Sequence, residues 1–216
     1  MSDSVDVQSL TRWIREFRRS IAANKDLLTQ LDSAIGDADH GINMDRGLAA
    51  VVAALDTQRA AQIATLLRTV VAEPLLGAVG GAGGMLYATF FLRMATVVGQ
   101  EHSLDDLAFA KALRAGLEEV VQRGRAVPGD KTMVDALAPA IEALEDALAN
   151  GAGLGAALRR ATAAAEAGRD ATGHMLARKG RASYLGQRSI GHQDPGATSA
   201  ALLIAAAATA FAGAPG

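Results

Sequence analysis

The sequence predicts an all-α fold, an eight-helix antiparallel up-and-down barrel or bundle, on three observations. Hydrophobic residues make up 50% of the chain and aromatics only 4%, with Ala and Leu dominant, a composition suited to closely packed helices rather than sheet. Apolar residues recur at three- and four-residue spacing in eight successive segments. The connections between those segments sort by parity into chemically rich and bland loops, as described below.

The first segment, about residues 6 to 31, carries Leu10, Trp13, Ile14, Phe17, Ile21, Leu27, Leu28 and Leu31 on one helical face. A break near Asn24 or Lys25 would divide it. The second, about 42 to 55, turns Met44, Leu48, Val51, Val52 and Leu55 inward, and the third runs from about Arg59 towards Pro74, where a missing amide should kink or end it. A fourth, about 85 to 98, is apolar. A fifth reaches about Arg123 behind Ser103-Leu104-Asp105-Asp106, which reads as a variant capping box. Thr132 and Asp135 can cap a sixth, ending near Ala149, and an Ala-rich seventh spans about 154 to 177. Asp194-Pro195 opens the eighth, about 195 to 211, as N-cap and first helical residue.

Between the first two segments lies Ile35-Gly36-Asp37-Ala38-Asp39-His40-Gly41-Ile42-Asn43. Asp37 and Asp39 stand two apart and Asp32 five upstream, so one turn of chain can bring three carboxylates to a common centre. An all-oxygen ligand set favours Mg²⁺, with Ca²⁺ or Mn²⁺ behind. Asp and Gly also form ordinary solvated turns. An EF-hand is excluded, because its sixth and twelfth positions counted from Asp37 are Ile42 and Leu48.

The connection after the third segment holds Gly80-Gly81-Ala82-Gly83-Gly84, whose bare amides at a helix N-terminus suit an anion. It fits neither a dinucleotide fingerprint nor a Walker A loop, and a flexible connection is the alternative. After the fifth comes Gly124-Arg125-Ala126-Val127-Pro128-Gly129-Asp130-Lys131-Thr132, a Walker-like run spoiled by Asp130. The seventh is followed by Arg178-Lys179-Gly180-Arg181 and then Gly191-His192-Gln193-Asp194-Pro195-Gly196. Such a cationic run is commonly a solvated turn. If neighbouring helices run antiparallel, these four loops meet at one end. Carboxylates for metal, amides for phosphate and cations for charge then converge, as Mg²⁺ plus a polyphosphate requires.

The formal net charge of -2 and the dispersal of the basic residues argue against nucleic acid. The acidic start lacks a secretory pattern, and the longest apolar run, Ala200 to Ala212, falls short of the roughly 20 residues of a membrane span, so a soluble, cytoplasmic protein is expected. With no cysteine in the chain, disulfides, thiolate ligands and thiol nucleophiles are excluded. Length and the lack of a linker predict one domain over residues 1–216.

Four stretches, Asp32 to Gly47 (DSAIGDADHGINMDRG), Val79 to Gly84 (VGGAGG), Arg123 to Met133 (RGRAVPGDKTM) and Ala177 to Ala197 (ARKGRASYLGQRSIGHQDPGA), resemble in order and spacing the nucleotide-binding L subunit of bacterial dihydroxyacetone kinase. The resemblance implies an eight-helix antiparallel barrel holding ADP or ATP and two Mg²⁺ ions. Asp32, Asp37 and Asp39 then match the metal ligands, and His40, Gly41, Ile42 and Asn43 match phosphate contacts. Ala82 and Gly83 match the glycine-loop contacts, and Gly124, Met133, Arg181, Asp194, Pro195 and Gly196 the remaining nucleotide contacts. Gly83 and Gly84 depart from a Ser and Pro frequent in the family, so a hydroxyl contact is missing; backbone amides at Ala82 and Gly83 could replace it, with tighter or looser phosphate binding as the alternatives. His102 and His174 carry no motif and are expected at the surface or in packing, and His192 is expected to orient its loop.

By the same resemblance, the triose is held on a separate K subunit. In the phosphotransferase-system-dependent type, phosphoenolpyruvate is the ultimate donor. A phosphohistidine of an M subunit rephosphorylates the captive ADP, which passes the phosphoryl group on. A nucleophile on this chain is not required. Rival readings are the L subunit of an ATP-dependent two-chain kinase for another ketose or sugar, a Mg²⁺-dependent nucleotide hydrolase, and a nucleotide sensor acting on a transcriptional regulator.

Overall fold

The computed structural model describes residues 4–78 and 80–212; the side chain of Ala82 also lies outside the described residues. Helix α1 (Val7–Ala23) opens on a reciprocal capping box, in which Ser9 N donates to Asp6 Oδ1 and Asp6 N to Ser9 Oγ, both at 2.8 Å. Its buried stripe is Leu10, Trp13, Ile14, Phe17 and Ile21, as the spacing predicts. The single helix expected to about residue 31 is instead two. Asn24 leaves helical geometry and its side chain donates to Ser20 O at 2.8 Å, competing with the backbone ladder, and α2 (Lys25–Ile35) follows. Both pieces pack on the same two neighbours, α3 (His40–Thr57) and α10 (Pro195–Ala210), so they behave as one bent rod.

The third rod begins at Ile63 rather than Arg59 and is not ended by Pro74. It comprises α4 (Ile63–Thr65), a π-helical stretch (Leu66–Ala72) and α5 (Glu73–Ala78). Glu73 N bonds Arg68 O, five residues back, so the wider turn forms just ahead of the proline that cannot donate. Helix α6 (Gly81–Val98) starts four residues before the expected Met85 and takes the glycines into its first turn.

Ser103 opens no helix. Ser103–Leu104 form strand β2, paired antiparallel with β1 (Val5–Asp6), and the N-cap of α7 (Asp106–Gly124) is Asp105, which accepts from Ala108 N at 2.7 Å. In α8 (Val134–Ala149), Pro139 deprives the Asp135 carbonyl of its helical donor; α9 (Leu154–Ala171) approaches there through Gly168, where a β-carbon would stand 2.1 Å from that oxygen. Helix α9 ends six residues before the expected Ala177, because a 3-10 turn (Thr172–His174) takes over. A second 3-10 segment, Arg181–Ser189, breaks at Gly186 (φ 55°). The cap of α10 is Asp194, accepting from Ala197 N at 2.7 Å, and most of its side chains are buried.

Each rod packs against the next in sequence, and α10 returns to α1, so the contacts close into a ring. At its centre Trp13 meets Phe91 and Phe109 edge-on, both 5.8 Å between centroids, and its Nε1 donates to Leu203 O at 2.9 Å. Among the described residues no helix is long and apolar enough to cross a membrane.

Candidate functional site

Asp32 sits in the last turn of α2, and the chain turns sharply after it. Gly36 N bonds Asp32 O at 2.5 Å, and a β-carbon on Gly36 would lie 2.0 Å from Asp32 Oδ1, so only glycine admits this return. Ala38 takes a left-handed φ of 61°. Asp32 Oδ2 accepts from Asp39 N (2.8 Å) and His40 N (3.1 Å), and thereby starts α3 two residues earlier than the expected Ile42. One oxygen from each of Asp32, Asp37 and Asp39 then lies within 4.8 Å of the others. Asp32 is buried and Asp37 exposed; Arg181 Nη2 reaches Asp37 Oδ2 at 2.9 Å. Three carboxylates against one guanidinium leave the centre negative, and its donors are all oxygen.

His40 contributes the next wall. Its Nε2 is 3.0 Å from Ser199 Oγ, which lies 2.8 Å from the Tyr87 hydroxyl and donates to Gly196 O at 3.0 Å. With the Ser199 proton committed to that carbonyl, Nε2–H and the Tyr87 hydroxyl both donate to Ser199 Oγ. Nδ1 is left towards Gly83, where a β-carbon would stand 3.4 Å from it. Burial lowers the His40 pKa, opposed by Asp32 and Asp39, and burial pushes the Tyr87 hydroxyl up. Asn43 is buried with Oδ1 accepting from Arg46 Nη2 at 2.7 Å, while Arg46 Nε donates to Ala78 O at 2.8 Å.

The first turn of α6 places Gly83 beside His40 and Gly81 and Gly84 on the same cavity, with no side chain capping its amides. Beyond α7, Asp135 accepts from Gly129 N (2.5 Å) and Thr132 N (2.7 Å), so it braces the loop ahead of α8, while Met133 is the N-cap residue. The lysine of the Walker-like run points into the protein. Lys131, at φ 63° and 1% exposed, donates from Nζ to backbone carbonyls. Asp194 is buried, and that burial pushes its carboxyl up to about 7 against the opposing pull of the Ala197 amide and Lys131.

These pieces enclose a cavity of about 570 Å³, within the usual span of small-molecule sites, roughly 300–1,000 Å³. Asp32, Asp37, Asp39, His40, Asn43, Gly83, Gly124, Met133, Arg181, Asp194, Pro195 and Gly196 all line it, over an apolar wall that includes Met44, Leu86, Val120 and Val134. The four connections singled out by parity therefore meet in one place. Two expected contacts stand apart from that wall. Gly41 serves packing, since a β-carbon there would lie 2.1 Å from Lys25 O, and the Ile42 side chain is 50% exposed. His102, His174 and His192 are exposed, and His192 contributes its carbonyl to the Lys131 ammonium.

Sequence reasoning missed Arg46, Tyr87, Lys131, Asp135 as a loop brace, and Ser199. Tyr87 and Ser199 left a faint signal, polar tips inside otherwise apolar helices. Arg46 and Lys131 reach carbonyls distant in the chain, and Asp135 acts on two amides of its own loop.

The fold and cavity define an all-α protein whose ring of helices holds a site with an acidic cluster over an apolar wall. Residues 34–209 match the DAK2 domain family model. The chain is 42% identical to the ADP-binding DhaL subunit of the phosphoenolpyruvate-dependent dihydroxyacetone kinase of Escherichia coli, over 91% of this chain and 93% of that one. It is also 42% identical to the corresponding subunit of kinase 1 of Listeria innocua, over 89% and 90%. It superposes on the crystal structure of the dihydroxyacetone kinase from C. freundii in complex with AMP-PNP and Mg²⁺ with a TM-score of 0.71 at 27% identity, covering 91% of this chain but 33% of that larger one. The chain belongs to the DAK2-domain family, is similar over most of its length to subunits named as ADP-binding L subunits of dihydroxyacetone kinase, and is a phosphotransferase subunit.

Proposed function

We propose that residues 1–216 form one cytoplasmic domain that serves as the ADP-binding L subunit of a phosphoenolpyruvate-dependent dihydroxyacetone kinase. The phosphoryl group would pass from a phosphohistidine of an M subunit, by way of nucleotide held here, to dihydroxyacetone on a K subunit. The observation that carries this reading is the meeting of a three-carboxylate cluster with the N-termini of α3 and α6 in one cavity. Carboxylates draw cations, while uncapped amides and helix dipoles draw anions, and a magnesium–nucleotide complex satisfies both.

The donor set fits the metal, since Asp32, Asp37 and Asp39 offer oxygen ligands in mutual reach. They would hold two Mg²⁺ ions. Bound Mg²⁺ supplies neutralisation and alignment of the phosphates, the main requirement of phosphoryl transfer. The chain's own residues would orient the nucleotide. Amides of Gly41 and Ile42 and of Ala82 and Gly83 would meet the phosphates; the His40 and Asn43 amides are committed to Asp32 Oδ2 and Asp39 O, so these two residues would act through their side chains, His40 being oriented by Ser199 with Nδ1 turned to the same side. Gly124, Met133, Arg181 and Asp194 through Gly196 would close the remaining side. Gly41 and Ile42 can take part only through their backbone, since glycine has no side chain and that of Ile42 is exposed outside the cavity lining.

Extended dialysis with Mg²⁺, denaturation and mass spectrometry of the released nucleotide test the proposal. Near-stoichiometric ADP is expected. A protein that emerges empty and binds ATP reversibly would instead be the L subunit of an ATP-dependent kinase, and one that binds no nucleotide would overturn the assignment of all four loops.

A further inference from the structure

The segment between α9 and α10 carries Arg181 and leads into Asp194–Gly196, yet its regular structure is confined to the two short 3-10 segments. Within itself it is tied by a few bonds, Ala177 N to Ser189 Oγ (2.9 Å), Gly191 N to Gly173 O (2.8 Å) and Asp194 N to Thr172 Oγ1 (2.9 Å). At its centre is a side chain from another loop. Lys131 Nζ donates to the carbonyls of Thr172 (2.9 Å), Met175 (3.3 Å), Ser189 (2.7 Å) and His192.

Four carbonyl oxygens converging on one buried point repel unless a cation lies among them, and an ammonium is a compact charge with three donors. The lysine reaches this point from a backbone at φ 63°, a left-handed conformation that a β-carbon disfavours and that persists where the surroundings over-determine it. Lys131 and the next residues of its loop, Thr132 and Met133, line the nucleotide cavity. One charge thus couples the loop after α7 to the entire segment before α10.

The structure assigns Lys131 the role of a positioning residue, an internal cation that gathers residues 172–192 and so aims Arg181 and the start of α10 at the cavity. Its neighbour Asp130 adds a lesser tie, accepting through its carbonyl from Arg178 N at 3.1 Å. The aiming rests on the proposed nucleotide site; the clasp of the segment does not.

The test uses Lys131→Met in the full chain, which keeps the length of the side chain and removes the charge and donors. Hydrogen exchange of the nucleotide-free protein should rise in residues 172–194 and stay unchanged in α1. Release of Mg²⁺-ADP should quicken by roughly 10–100-fold, the usual cost of losing a supporting partner behind a ligand contact. In Lys131→Ala, propylammonium, which restores the missing three carbons and the ammonium, should recover slow exchange and nucleotide retention, whereas tetramethylammonium at equal ionic strength should not.

Unchanged exchange in Lys131→Met, or a defect in Lys131→Ala that the amine fails to repair, would overturn the clasp. Altered and repairable exchange with unaltered ADP release would overturn the positioning role. If the wild-type chain itself binds no ADP, the nucleotide reading falls while the exchange measurements still decide the clasp. Should neither variant fold, the wild-type protein decides through a ¹H–¹⁵N spectrum, in which a caged ammonium gives a slowly exchanging Lys Nζ signal and a solvated one does not.

Discussion

Replacing Asp37 by Asn should raise stability without Mg²⁺ and lower it with Mg²⁺. Its carboxylate lies within 4.8 Å of those of Asp32 and Asp39, a distance at which two unit charges in water repel by about 0.9 kcal/mol. Asp32 is buried, so the water figure is a floor. Neutralising Asp37 relieves two such pairs, about 2 kcal/mol, and gives up the bridge to Arg181, whose side chain is 70% exposed and whose contribution is about 0–1 kcal/mol. The net is a gain of about 1 kcal/mol, or about 2–4 °C in Tm for a chain of this size. With Mg²⁺ at about 100 times its Kd, the wild type gains about 2.7 kcal/mol by mass action, roughly 5–10 °C, most of which the variant forgoes. Thermal melts of both proteins, with ADP held constant and Mg²⁺ titrated against chelator, should therefore cross. An equal Mg²⁺-induced rise in Tm in both would refute the placement of the metal at these carboxylates.

Two further outcomes follow from the geometry. Gly41→Ala would set a β-carbon 2.1 Å from Lys25 O and 2.5 Å from Thr29 Oγ1. The gain in helix propensity, about 1 kcal/mol, is outweighed because a backbone oxygen cannot rotate aside, and a net loss of about 1–3 kcal/mol with a lower Tm is expected; an unchanged Tm would show that α2 and α3 are not so closely apposed. Asp194, pushed by burial from 3.8 to about 7, holds a proton in the folded state that the unfolded chain releases, so its contribution is fully present below 3.8 and is lost as pH rises through about 7. In Asp194→Asn, which keeps an oxygen to cap α10, Tm of the nucleotide-free protein should fall less steeply across that window, and parallel profiles for the two proteins would contradict the burial argument.

Sequence alone determined the helical class and the grouping of the four loops. Periodicity is a local property, and Leu10, Trp13, Ile14, Phe17 and Ile21 needed no partner to mark the inner face of α1. Parity is local as well, because short connections force neighbouring helices to alternate, and the loops it grouped line one cavity. The carboxylate cluster was legible since its three members lie within eight residues. Tertiary structure decided what depended on competition between distant groups. Asn24 broke the first helix by bonding back to Ser20, Asp32 rather than a local cap set the start of α3, and Ser103 left its capping pattern to pair with β1. It also decided which polar residues tie distant segments together. The bonds of Lys131 to carbonyls 41 to 61 residues away, and of Ser199 to His40 across 159, join segments whose adjacency no local spacing encodes, because only the closed ring of helices brings them within reach.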